Sequence, residues 1–188
     1  MKFKSPLAAA LLALTATGSA FAGVYPDPGH ENTVSYTFEA TGGEIKAYFL
    51  SSDAAYTSFL GMDGLAHSSL SNHGQPVGHE VDLGAVAAGQ LVTFYLSVAS
   101  PSLTWSSDAA LNSDGANHLY STSYTGGAIP AGTLLAFEDL PNSASDHDYN
   151  DAVFVVTGVT AVPEPANLAL MLAGLGLMGL MVRRRRGH

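Results

Sequence analysis

The chain has 188 residues, with 16 acidic side chains against 7 Lys or Arg, a formal net charge of −9 and no cysteine. The lack of cysteine excludes disulfides, thiol nucleophiles and cysteine-based zinc sites. Lys2, Lys4 and Arg183 to Arg186 lie at the two ends, so the body between them keeps Lys46 alone against every acid except Glu164. Such a charge excludes nucleic acid and anionic membrane surfaces as partners by repulsion, and suits bound cations.

The first 22 residues, MKFKSPLAAALLALTATGSAFA, place Lys2 and Lys4 before an apolar stretch from Leu7 to Leu14 and end on Ala20-Phe21-Ala22. That order predicts a helical secretory signal peptide, removed by signal peptidase after Ala22. The body that follows, residues 23–160, is long enough to hold a core without covalent staples.

Within the body, alternation and turns replace helical periodicity. Thr33 to Ala40 alternates with Val34, Tyr36 and Phe38 on one face, and Thr41-Gly42-Gly43 turns the chain into Glu44 to Leu50, a predicted hairpin partner with Ile45, Ala47 and Phe49 inward. Ser51 to Gly89 is rich in Gly, Ser and His and predicts long loops with a strand near Thr57 to Met62. Gln90 to Val98 has the strongest strand pattern, with Val92, Phe94, Leu96 and Val98 inward. Further strands are predicted at Leu103 to Trp105, His118 to Tyr124, Thr133 to Glu138 and Ala152 to Val159, and Ala161 to Pro165 reads as a short linker. Short strands separated by Gly, Ser, Asn and Asp clusters predict an all-β fold, an antiparallel β-sandwich of jelly-roll-like type. Trp105, the single tryptophan, is expected in its core rather than as a sugar platform.

Glu138, Asp139, Asp146, Asp148, Asn150 and Asp151 put six oxygen ligands into one short stretch. Carboxylates so close together repel one another, and a hard cation relieves the repulsion. Calcium takes roughly six to eight oxygens, and an Asp-x-Asp-x-Asn alternation lets one tight loop aim several inward. Asp146, Asp148 and Asp151 are the expected direct ligands, with Asn150 next. The stretch is not an EF-hand, because Asp151 is followed by Ala-Val-Phe. Turn chemistry alone also favours Asp and Asn, but a turn has little use for six such groups. His67, His73 and His79 recur every six residues, a spacing that converges on neither a helix nor a strand, and they are expected to be loop histidines. No Gly-x-Ser-x-Gly elbow is present; paired acids such as Glu138 and Asp148 are the one formal route to a hydrolase.

At the C-terminus Val162-Pro163-Glu164-Pro165 precedes an uncharged run to Val182, then Arg183, Arg184, Arg185 and Arg186. The run, roughly 17 residues, is near the lower limit for a bilayer-spanning helix. The arginines favour the cytoplasmic side, which puts the body outside the cytoplasm, in agreement with the signal peptide. Gly174, Gly176 and Gly179 match a dinucleotide fingerprint only by coincidence, since neither the strand before nor the acid after is there.

The tripeptide, apolar helix and Arg cluster together resemble the PEP-CTERM sorting signal of Gram-negative bacteria. That resemblance implies an inner-membrane-anchored precursor whose residues 161–188 are read by an exosortase-type protease on the way to the cell surface or extracellular matrix. Pro163 and Pro165 hold the tripeptide extended and accessible. Phe137-Glu138-Asp139-Leu140, a polar loop and Asp146-His147-Asp148-Tyr149-Asn150-Asp151 resemble the C-terminal hallmark of the bacterial domain of unknown function family 4114, and Asn112-Ser113-Asp114-Gly115 with His118 resembles an element that precedes it. The likeness runs from about Gly43 to Gly158; it departs where Pro141 to Ser145 lacks glycine and where His147 replaces a frequent Arg. This resemblance implies a secreted β-rich module without established enzymatic activity. The expected function is a non-enzymatic surface or biofilm-matrix protein with a calcium-ordered domain. The alternatives are a module binding extracellular polysaccharide or another polymer and, behind it, a hydrolase.

Overall fold

A computed structural model describes residues 25–64 and 68–163. The predicted signal peptide with Ala20 and Ala22, His67, Glu164, Pro165, the apolar C-terminal run and Arg183 to Arg186 lie outside the described residues. Among the described residues no helix is long and apolar enough to cross a membrane.

The fold is all-β, with every pairing antiparallel. Among the described residues eleven strands run in order as β1 (Tyr36–Ala40), β2 (Gly43–Ser51), β3 (Ser58–Met62), β4 (Glu80–Val86), β5 (Leu91–Val92), β6 (Phe94–Val98), β7 (Leu103–Ser106), β8 (Leu119–Tyr124), β9 (Gly132–Phe137), β10 (Ala152–Thr157) and β11 (Val159–Pro163). A single turn of 3-10 helix, Ala109–Leu111, follows β7 and is capped by Asp108, whose side chain accepts the Ala110 N–H. The central sheet has the order β4-β2-β10-β9-β8, and two three-stranded sheets, β11-β1-β5 and β3-β6-β7, complete the fold.

Period-two alternation explains which side chains meet. Phe38 of β1, Ile45 and Ala47 of β2, Leu60 of β3, Phe94 and Leu96 of β6, Phe137 of β9 and Phe154 of β10 form one buried cluster shared by all three sheets. The opposite face of the central sheet buries Tyr48, Leu134, Val153 and Val155 under Tyr25 and Tyr149. Because both faces are covered, β10 reads Ala-Val-Phe-Val-Val without polar interruption. Trp105 is core, as expected, 1% exposed and donating its indole N–H to the Asp139 carbonyl at 2.9 Å.

The structure departs from the sequence reading in five places. Thr41 to Gly43 does not close a hairpin: β1 pairs with β11 and β5, whereas β2 pairs with β10 and β4 in another sheet. Val34 precedes the first strand and is 42% exposed. Gln90 to Val98 breaks at Thr93 into β5 and β6, although all four inward side chains are buried as expected. Ala161 to Pro163, read as linker, extends β11, with Pro163 opposite Tyr36. Between β10 and β11 the chain bends at Gly158, whose φ of +82° and 2.7 Å clearance from the Glu44 carbonyl to any Cβ leave room only for glycine. That bend moves the strand from one sheet to the other. β4, within the segment expected to be mostly loop, pairs on β2 from Glu80 to Val86.

Candidate metal-binding loop

Phe137 pairs with Ala152, so residues 138–151 form a loop clamped at its neck by the β9–β10 ladder. Glu138 is the first residue of the loop and is 1% exposed. One of its oxygens accepts the Tyr149 N–H and the other the Ser145 hydroxyl, which folds the far limb of the loop back onto its start. His147 and Tyr149 both have left-handed backbone, with φ of 56° and 53°. That conformation is costly for side chains of their size. It curls Asp146 and Asp148 inward, and ligand oxygens of Glu138, Asp146 and Asp148 come to lie within 4.8 Å of one another.

Three acids of graded exposure, one buried, one half-buried and one exposed, therefore converge, and among the described residues the one Lys or Arg, Lys46, pairs instead with Glu80 at 2.8 Å on the surface. Burial first, then the charges of Asp146 and Glu138, push the Asp148 carboxyl up to about 6. The charge of Asp53, from the β2–β3 connection, adds to the same shift, and the Asp53 N–H donates to the Asn150 carbonyl at 3.1 Å. Asp53 is the acid that the sequence could not place, being far along the chain from the loop it joins.

The other predicted ligands go elsewhere. Asp151 turns toward Asp139, accepting its backbone N–H at 2.9 Å. Burial raises the carboxyls of both, and with the Asp139 and Glu138 charges nearby Asp151 reaches about 8. Asn150 gives its side-chain amide to Asp148 and so steadies a candidate ligand. The expected trio of Asp146, Asp148 and Asp151 is thus replaced by Glu138, Asp146 and Asp148, because the chain turns at Asp151 to enter β10. His73 and His79 sit in loops as expected; His73 is held by Thr57 and by the Ala54 carbonyl.

A second layer holds the loop in place. Asp114 accepts the Asn142 N–H at 2.9 Å and lies 3.0 Å from Nε2 of His118. Burial alone would raise the Asp114 carboxyl, but the N–H groups of Asn142 and Ala116 and the contact with His118 hold it below the usual range. His118 stacks on Trp105 with ring centroids 3.8 Å apart, and burial lowers its imidazole pKa. Asn112 bonds both the N–H and the carbonyl of Ser106, as well as the Ala116 carbonyl. The segment Tyr25 to Asn32 straps the outside: the Gly29 N–H reaches the His147 carbonyl, and the Asn32 N–H reaches the Tyr149 hydroxyl at 2.9 Å.

An all-antiparallel β domain with an acidic hairpin loop is the class these features define. Residues 86–159 match the model of a family described as Domain of unknown function (DUF4114), and residues 161–186 match the PEP-CTERM protein-sorting motif. The first match begins well after Gly43, the point from which the likeness was anticipated, and includes the whole of the acidic loop. No curated protein and no solved structure matches the chain. The sorting motif marks an exported protein, made as a membrane-anchored precursor in a Gram-negative bacterium and processed by exosortase.

Proposed function

We propose that this is a non-enzymatic cell-surface or extracellular-matrix protein whose β-sandwich of jelly-roll-like type is ordered by calcium and released for display by C-terminal processing. The observation that carries the reading is the convergence of ligand oxygens of Glu138, Asp146 and Asp148 within 4.8 Å of one another. Oxygen-only ligands of this kind suit a hard cation, and backbone carbonyls and water supply the remaining positions. A structural rather than catalytic use is supported by Glu138, both of whose oxygens are taken by the loop's own Tyr149 and Ser145. The three sheets around one cluster support the sandwich architecture.

The test is thermal unfolding of the purified full-length chain in detergent, stripped of metal and then titrated. A cation bound only by the folded state stabilises it by about 2.7 kcal/mol at a hundredfold excess over Kd. For a domain of this size that is several degrees of Tm. Calcium is expected to raise Tm, magnesium to do so less because it demands a smaller octahedral shell, and Asp148→Ala to abolish the response. Superimposable melting curves in calcium and chelator would return the loop to ordinary turn chemistry.

A further inference from the structure

β9 has a different environment at its other end. There a groove of about 610 Å³ opens between the start of β9, the outer strand β8 of the central sheet and the outer strand β11 of the neighbouring sheet. Its size is that of a small-molecule or oligomer site. Tyr36 lies at its base, 9% exposed, and Ser121 to Tyr124, Gly132, Thr133 and Val159 to Ala161 line it. Not one lining residue is Asp, Glu, Lys, Arg or His, in a chain whose net charge is −9. Hydroxyls from β1, β8, β9 and β11 converge there instead.

The base of the groove is set in advance of any ligand. The Tyr36 hydroxyl receives Nδ2–H of Asn32 at 3.2 Å and is bonded to the backbone of Ser121, and the Ser121 hydroxyl donates to the Leu134 carbonyl at 2.8 Å. Thr133 donates to the Val159 carbonyl at 3.1 Å and fixes where β11 departs. Thr122, Ser123 and Thr160 are exposed. Hydroxyls both donate and accept, as sugar hydroxyls do, so the exposed rim of Thr122, Ser123 and Thr160 offers a polyhydroxylated ligand matching groups while the base stays satisfied from within. An extended peptide bridging the groove would need a continuous ladder, but β8 and β11 belong to different sheets, β11 leaving the central sheet at the Gly158 bend after β10, so neither edge continues the other.

We propose that this groove binds a neutral polyhydroxylated chain, a polysaccharide free of carboxylate, sulfate and phosphate. Charge selects against anionic polymers because the acidic body repels them while the groove offers no counter-charge. The site is separate from the acidic loop, since the two lie at opposite ends of β9, a strand on the order of 20 Å long, and the proposal does not rest on calcium.

Affinity electrophoresis of the full-length chain in detergent tests it, with dextran, glucomannan and galactan as neutral matrices and alginate and polygalacturonate as anionic ones. At least one neutral polysaccharide is expected to retard the protein and the anionic ones are not. Ser123→Arg and Thr160→Arg, at exposed positions where folding is undisturbed, are expected to weaken retardation at least about tenfold, a loss of roughly 1.4 kcal/mol. Leu111→Arg adds the same charge beside β7, at a residue 67% exposed, and is expected to leave it unchanged. Retardation by none of the neutral matrices, equal retardation of all three variants, or capture of extended peptides from a random library in place of glycans would each overturn the proposal.

Discussion

The two ends of β9 and its neighbours share a backbone ladder and a core, yet they present opposite chemistry. At one end Glu138, Asp146 and Asp148 crowd negative charge into a loop whose backbone is left-handed at two bulky residues. At the other, hydroxyls surround an uncharged groove whose base is already satisfied by internal hydrogen bonds. The neutral end closes its accounts within the chain, whereas the acidic end keeps like charges together and pushes the Asp148 carboxyl upward. A sheet transmits rigidity to both ends alike and does not equalise their electrostatics, because charge density is set locally by side chains beyond the ladder.

The change expected to erase the contrast altogether is Phe154→Ala. Phe154 lies in the middle of β10, fully buried and 6.4 Å from the Phe49 ring, so its loss undermines the sheet behind both ends. A destabilisation of about 3–5 kcal/mol is expected by urea unfolding. Asn112→Ala comes next, separating the acidic end alone from its support. It removes three buried hydrogen bonds around Ser106 and Ala116, and a loss of roughly 1–3 kcal/mol is expected from the backbone groups left unpaired.

Proton dependence sharpens the comparison. Asp148 at about 6 and Asp151 at about 8 stand above the unfolded value of roughly 3.9. A raised folded pKa means that the native state holds the proton more tightly, so the stability these groups contribute is complete below the unfolded value and is lost as pH rises through the folded values. In chelator, the urea midpoint is expected to fall between pH 5 and pH 8.5. Asp151→Asn removes the alkaline part of that fall, and calcium, which replaces the proton at Asp148, flattens the acidic part. A midpoint in chelator that rises steadily over this range would contradict the assignment. Thr122→Ala, at the exposed rim of the neutral end, is expected to shift the midpoint by less than about 0.5 kcal/mol equivalent at every pH.

Processing gives a prediction outside the folded body. Intact mass of the mature envelope-associated protein is expected to lack Arg183 to Arg186; a mass that retains them would describe a permanent anchor. Since β11 carries its ladder to Pro163, opposite Tyr36, the sorting tripeptide begins within the last strand.

Much of this was legible in the chain. Alternation placed Val92, Phe94, Leu96 and Val98 inward and identified the β9 and β10 segments, because period two is a local property of a strand with one buried face. The density of Asp and Glu after Phe137 marked the loop for the same reason: charge repulsion needs only proximity along the chain. The Pro-Glu-Pro, apolar and Arg sequence at the C-terminus is likewise a local pattern, recognised without any fold.

Strand partners and ligand choice were decided elsewhere. Thr41-Gly42-Gly43 has the composition of a hairpin turn, but β1 finds β11 and β5 while β2 finds β10 and β4, since burying Phe38, Ile45 and Phe154 in one cluster outweighs a local turn preference. Asp151 satisfied the spacing of a ligand and became the partner of Asp139, while Glu138 and the distant Asp53 took places beside Asp148. The groove has no sequence signature, because Tyr36, Ser121, Thr133 and Thr160 acquire meaning only when two sheets set their outer strands side by side. Sequence alone determined periodicity, charge density and the sorting segments, which depend on near neighbours. Pairing, convergence and the shape of the space between sheets depend on long-range burial, and only the tertiary structure could decide them.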